Sequence, residues 1–307
     1  MNLYMDTPTY SPPPLTSQPH SNKRLLYISL IAGLVAVVII AITALPSVRT
    51  SLALRGIEFA SNGYAAGPIF KVGLFGLKEI SLPSGTVDYA KAGNHRVVVT
   101  DTGQVTVLGS GPKVVADSPS RKAAVAIHPA GTFIAYAESQ EASPNIAAWT
   151  VHLVDVESAQ TLDLGPGFAP AFFTSNGKDY LAFTSPTGIT FMDIAARTAL
   201  TLPLNNVSGT RYAAAVSPDG AYIAMPNALT GKYDLFARIE SDNTIRLSAV
   251  GSTDSGLSDV AWKNGTLYGV TEPMNGKVGV VRIEPASPQY AEPLYSFMSE
   301  EFYRLIP

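Results

Sequence analysis

Ala213-Ala214-Ala215-Val216-Ser217-Pro218-Asp219-Gly220-Ala221-Tyr222-Ile223-Ala224-Met225 decides how this chain folds. It reads as a strand of small residues, a Ser-Pro-Asp-Gly turn, and a second strand with alternating apolar positions. Proline brings a fixed φ to the turn, aspartate bonds its own backbone, and glycine accepts positive φ. One such hairpin says little. Its recurrence along the chain says a great deal.

Aligned on the turn glycine, Ala92-Gly93-Asn94, Pro129-Ala130-Gly131, Ser175-Asn176-Gly177, Pro218-Asp219-Gly220 and Lys263-Asn264-Gly265 each follow a strand of small or aromatic residues. An apolar strand comes after each, as in Phe133-Ile134-Ala135-Tyr136 and Tyr180-Leu181-Ala182-Phe183. The glycines stand 38, 46, 43 and 45 residues apart. Third strands end in phase with them at Val154-Asp155-Val156, Met192-Asp193-Ile194, Ala237-Arg238-Ile239 and Val281-Arg282-Ile283. A polar insertion at 140–147 accounts for the one irregular spacing. A fourth, shorter strand is expected in each unit, as at Gln160-Thr161-Leu162-Asp163-Leu164 and Arg246-Leu247-Ser248-Ala249-Val250. A period near 43 residues with several strands per unit predicts the blades of a β-propeller.

The Ser217-Pro218-Asp219-Gly220 unit and its flanking strands resemble the WD40-like repeat of TolB-type β-propellers. The resemblance covers residues 86 to 296. Only that unit carries the full motif; its counterparts read His128-Pro129-Ala130-Gly131, Thr174-Ser175-Asn176-Gly177 and Trp262-Lys263-Asn264-Gly265. It implies a propeller that binds other macromolecules, as most such domains do, some of them as accessory domains of peptidases.

Upstream, residues 56 to 85 hold a less regular unit, with strands at Ile57-Glu58-Phe59-Ala60 and Leu77-Lys78-Glu79-Ile80-Ser81-Leu82. Closing the ring would remove exposed sheet edges. The expectation is therefore an all-β propeller of six blades, with residues 297–306 adding a last strand or one helical turn. Five blades and an N-terminal cap are the alternative.

Residues 1–24 are rich in Pro, Thr and Ser and form no core, so a disordered cytoplasmic tail is expected. Residues 25–45 hold 21 positions without a charge, enough for a helix of about 31 Å, close to the thickness of a bilayer's hydrocarbon core. Lys23 and Arg24 precede the run and favour a cytoplasmic N-terminus. This reading gives a single-pass transmembrane helix in the cell membrane, a linker at 46–55 and an extracytoplasmic propeller at 56–307. A cleaved signal peptide is the rival.

The chain has 307 residues, a net charge of -3 and no basic stripe, so nucleic acid is not an expected partner. With no cysteine, thiolate metal sites, disulfides and cysteine nucleophiles are excluded. The four histidines form no zinc-hydrolase pair, and no nucleophile elbow or phosphate-cradling glycine loop occurs. No catalytic, metal or cofactor residues are therefore assigned, and no cofactor is expected. His128 reads as a substitute for serine in its turn. A binding site at the channel mouth would use Trp262, Asp259 and Lys263, with Phe172 and Arg211 at comparable places in neighbouring blades. The expected ligand is a protein, peptide or glycan of the cell envelope. A hydrolase or lyase using paired carboxylates at the propeller mouth is the second reading.

Overall fold

The computed structural model describes residues 53–61, 67–73, 76–109, 111–204, 213–227, 229–241, 244–253 and 256–306. The apolar run at 25–45 lies outside them. Among the described residues no helix is long and apolar enough to cross a membrane.

Six antiparallel sheets of four strands each make up the described chain. Blade 1 contains β1 (Glu58–Ser61), β2 (Ile69–Gly73) and β3 (Gly76–Ile80). Blade 2 follows with β4 (Thr86–Ala92), β5 (His95–Thr100), β6 (Gln104–Leu108) and β7 (Lys113–Asp117). Blade 3 holds β8 (Arg121–Ile127), β9 (Phe133–Ser139), β10 (Thr150–Asp155) and β11 (Thr161–Pro166). Blade 4 holds β12 (Phe168–Ser175), β13 (Lys178–Ser185), β14 (Gly188–Asp193) and β15 (Thr198–Pro203). Blade 5 is β16 (Ala215–Val216), β17 (Tyr222–Asn227), β18 (Lys232–Ser241) and β19 (Thr244–Ser252). Blade 6 is β20 (Leu257–Lys263), β21 (Thr266–Thr271), β22 (Lys277–Ile283) and β23 (Ala291–Met298). The last strand, β24 (Tyr303–Ile306), returns to blade 1 and pairs with β1 from Glu58↔Ile306 to Ser61↔Tyr303. The ring is thus closed by the two ends of the propeller.

The turns form as their residues require. Gly220 donates its N–H to the Ser217 carbonyl, and Ser217 Oγ both donates to Asp219 Oδ1 at 2.6 Å and accepts from the Tyr222 N–H. Gly220 has φ +69°, and a Cβ there would lie 2.4 Å from the Phe173 ring of the preceding blade. His128 takes the serine place in blade 3, where its Nδ1 accepts from the Ala130 N–H at 3.2 Å. That histidine is a turn residue, and its ring packs edge-on against Phe133 and Phe172.

Apolar side chains from adjoining blades meet in a separate cluster at each junction. Val97, Val99, Ile127 and Ile134 join blades 2 and 3, for example, and Phe173, Phe191, Ile223 and Met225 join blades 4 and 5. Leu54 and Ile57, just ahead of β1, are completely buried with Phe59, Tyr268, Val278 and Leu305 between blades 6 and 1.

Of the two alternatives for residues 297–306, the strand forms, as β24, and it is the innermost one of blade 1. Two details depart from the sequence expectations. β2 has no counterpart in the sequence reading; only Ile69 of its five residues is buried, so its apolar pattern is weak. β19 is nine residues long instead of short, because its hairpin with β18 continues outward to the Ser241↔Thr244 pair.

Candidate functional site

The six innermost strands enclose a channel with a cavity of about 610 Å³. Pairing within each blade shows how its wall is built. Ala90, Ala126, Ala171, Ala215 and Ala261 sit at one level, opposite Val97, Ala135, Ala182, Ala224 and Tyr268 of the second strands. In blade 1 the level is taken by Ile306. Small side chains here leave the bore open.

Two residues before each of these lie Asp88, Ala124, Ala169, Ala213, Asp259 and, in blade 1, Arg304. The innermost strands bulge in this region, and Ala124 and Ala169 adopt left-handed conformations. The two aspartates act alike. Asp88 Oδ2 accepts the Val125 N–H of blade 3 at 2.8 Å, and Asp259 Oδ2 accepts the Leu305 N–H of blade 1 at 2.8 Å. Each therefore caps a channel-facing N–H of the next blade. Where the preceding blade offers only Ala124, the matching residue of blade 4 is Pro170, which has no N–H to cap. Arg304 stands between the acids: its Nη2 lies 2.5 Å from Asp88 Oδ1 and donates to the Tyr89 carbonyl at 2.9 Å. Burial pushes the Asp259 carboxyl up to about 7, against the pull of the Leu305 N–H and the Arg304 charge.

At the turn end of the channel two lysines converge. Lys91 Nζ donates to the Gly56 carbonyl at 2.6 Å and pairs with Glu58 at 2.7 Å. Lys263 Nζ donates to the neighbouring Arg55 carbonyl, and among the described residues no carboxylate stands within ion-pair distance of it. Burial, with the nearby Lys91 charge, lowers its ammonium to about 8. Gly56, φ +83°, forms part of the cavity wall, and a Cβ there would lie 2.4 Å from Lys263 Nζ.

Four of the five residues expected at the mouth line this cavity: Trp262, Asp259, Lys263 and Phe172. Arg211 lies outside the described residues. Trp262 is a wall element instead of an open platform, because it stacks on Tyr222 at 5.9 Å and its Nε1 donates to the Ala215 carbonyl. Asp259 is buried in the wall as an inter-blade cap. Lys91, Glu58, Asp88 and Arg304 were not singled out from the sequence. The signal for Asp88 and Lys91 exists: once the Gly93-Asn94 and Asn264-Gly265 turns are put in register, they align with Asp259 and Trp262. Arg304 becomes legible only when β24 is known to enter blade 1.

No family model matches the chain, and no curated protein matches it. Solved structures do. A nidogen/laminin complex chain is superimposed with a TM-score of 0.54 at 11% identity, over 82% of this chain and 99% of that one. TolB from Acinetobacter baumannii gives 0.53 at 14% identity, over 81% and 67%. TolB from Agrobacterium tumefaciens gives 0.51 at 13% identity, over 81% and 96%. At these identities the likeness is one of fold: the chain is a six-bladed β-propeller with TolB structures among its neighbours.

Proposed function

We propose that the chain is a membrane-tethered, extracytoplasmic β-propeller that binds a protein, peptide or glycan of the cell envelope and carries out no catalysis. The uncharged run at 25–45 motivates the tether, and Lys23 and Arg24 motivate the orientation. The observation that carries the binding reading is the channel itself, about 610 Å³ and lined at one level by five alanines and Ile306. The use of Asp88 and Asp259 as caps of backbone N–H groups supports binding over acid–base chemistry. TolB neighbours favour the same role by analogy of fold.

The test is cross-linked capture from native membranes with the tagged full-length chain, with residues 1–55 alone as control. A second bait, Ala171→Trp, fills the bore. One stoichiometric partner held by the full chain, absent from the control and diminished by the filled bore, is the expected outcome. Equal capture by all three baits would sink the reading.

A further inference from the structure

Lys263 and Lys91 reach the channel mouth from blades 6 and 2, on either side of blade 1. Their ammonium groups close on two consecutive backbone carbonyls, those of Arg55 and Gly56. A carbonyl is a neutral acceptor, and a carboxylate makes a shorter and stronger bond to the same donor. Lys91 has Glu58 as a counter-ion, whereas among the described residues Lys263 Nζ meets the Arg55 carbonyl and no carboxylate within ion-pair distance. Beyond them the cavity wall carries the small side chains of Ala90, Ala126, Ala171, Ala215 and Ala261, an apolar lining that suits a slender aliphatic or peptide body. We infer that the mouth is a carboxylate site: a ligand ending in a carboxylate on a slender aliphatic or peptide body binds Lys263, assisted by Lys91, in place of the Arg55 and Gly56 carbonyls.

This inference rests on the binding reading above and names the chemistry of its ligand. The 53–57 segment then acts as an internal strap that the ligand must displace from the two ammonium groups. The anchors of that strap, Leu54 and Ile57, stay in the blade 6–blade 1 core, so only the Arg55-Gly56 peptide has to yield.

Titration calorimetry on the full-length chain in neutral detergent tests it with four probes: pentanoate, acetyl-trialanine, and the uncharged amide of each. An acid is expected to bind about tenfold or more tightly than its amide. Lys263→Met should remove most of that advantage and leave the amide unchanged, with thermal melting used to check that the variant folds. The native chain gives an independent readout. Lys263 loses its proton as pH rises through about 8, so acid affinity should be full near pH 6, where the ligand carboxyl is ionised and Lys263 is charged, and fall as pH rises through about 8. Lys91 and Glu58 are the charged groups facing Lys263 across the mouth, and Glu58→Gln should strengthen acid binding by removing a competing carboxylate. The tighter of the two acids identifies the source as a peptide terminus or a small carboxylic acid. Equal affinity for acids and amides overturns the carboxylate site, as does an acid affinity untouched by Lys263→Met. Absence of binding by both acids overturns it too. The membrane capture uses none of these probes, so it decides the broader reading separately.

Discussion

Asp259 accepts the backbone N–H of Leu305 at 2.8 Å and so fastens the last strand of the chain to blade 6. The bond sits at the seam where the ring closes, and its carboxyl is buried. Burial raises the group from its ordinary 3.8 to about 7. The folded chain therefore holds a proton that the unfolded chain releases. Stability from this group is complete below about pH 4 and declines as pH rises, until it is lost above about 7. Asp259→Asn keeps an acceptor for Leu305 without the titration. The variant should match the native chain in acid and exceed it at pH 8 by roughly 2–4 kcal/mol. Denaturant midpoints at the two pH values measure the difference, and a variant less stable at both would show that the ionised carboxylate is preferred.

Asp88 occupies the matching place in blade 2, but Arg304 lies directly against it at 2.5 Å. Asp88→Ala removes both the counter-ion of a buried guanidinium and the acceptor of the Val125 N–H. A loss of about 3–5 kcal/mol is expected. Adding Arg304→Met should recover part of it, since the second change takes away the uncompensated charge. Additive losses in this double-mutant cycle would mean that the two residues stabilise the seam independently.

The ring was readable because its punctuation is local. Gly93, Gly131, Gly177, Gly220 and Gly265 each occupy a hairpin turn with positive φ, so their spacing reports the blade repeat directly. β24 was harder, since its place depends on pairing Tyr303–Ile306 with residues some 245 positions earlier in the chain, and nothing within four residues encodes that. The channel mouth was half legible for the same reason. Trp262, Asp259 and Lys263 share one strand and were found together. Lys91, Glu58 and Arg304 come from other blades and join them only through closure. The role of Trp262 also depends on a neighbour, because Tyr222 and the Ala215 carbonyl of blade 5 hold its indole against the wall.

Turn glycines of the same φ should respond differently to a methyl group. At Gly177, φ +72°, a Cβ would meet nothing within 4 Å, and Gly177→Ala is expected to cost about 1 kcal/mol from the left-handed backbone alone. At Gly220, φ +69°, the Cβ would run into the Phe173 ring, which is itself held by Tyr180 and Phe191. Gly220→Ala should cost about 2–4 kcal/mol, the backbone strain plus overpacking. Midpoints of urea unfolding at unchanged slope report both. Equal costs would mean that Phe173 moves aside freely.

Leu54 tests whether the strap over the channel mouth is part of the folded propeller. It is completely buried among Ile57, Phe59, Tyr268 and Val270, and Tyr268 Oη donates to the Ala53 carbonyl at 3.3 Å. The next residue, Arg55, is exposed, and its backbone carbonyl is the group that meets Lys263. Leu54→Ala leaves a void at the junction of blades 6 and 1 and should cost about 2–5 kcal/mol. Arg55→Ala removes an exposed side chain and keeps the carbonyl, so a change within about 0.5 kcal/mol is expected. The pair also separates seating from gating. Once Leu54 is lost, the Arg55 and Gly56 carbonyls are held less firmly over the ammonium groups, and amide exchange at Ile57, whose N–H bonds the Leu54 carbonyl, should quicken before the global transition. Equal stability of the two variants, with exchange unchanged at Ile57, would place the strap outside the cooperative core.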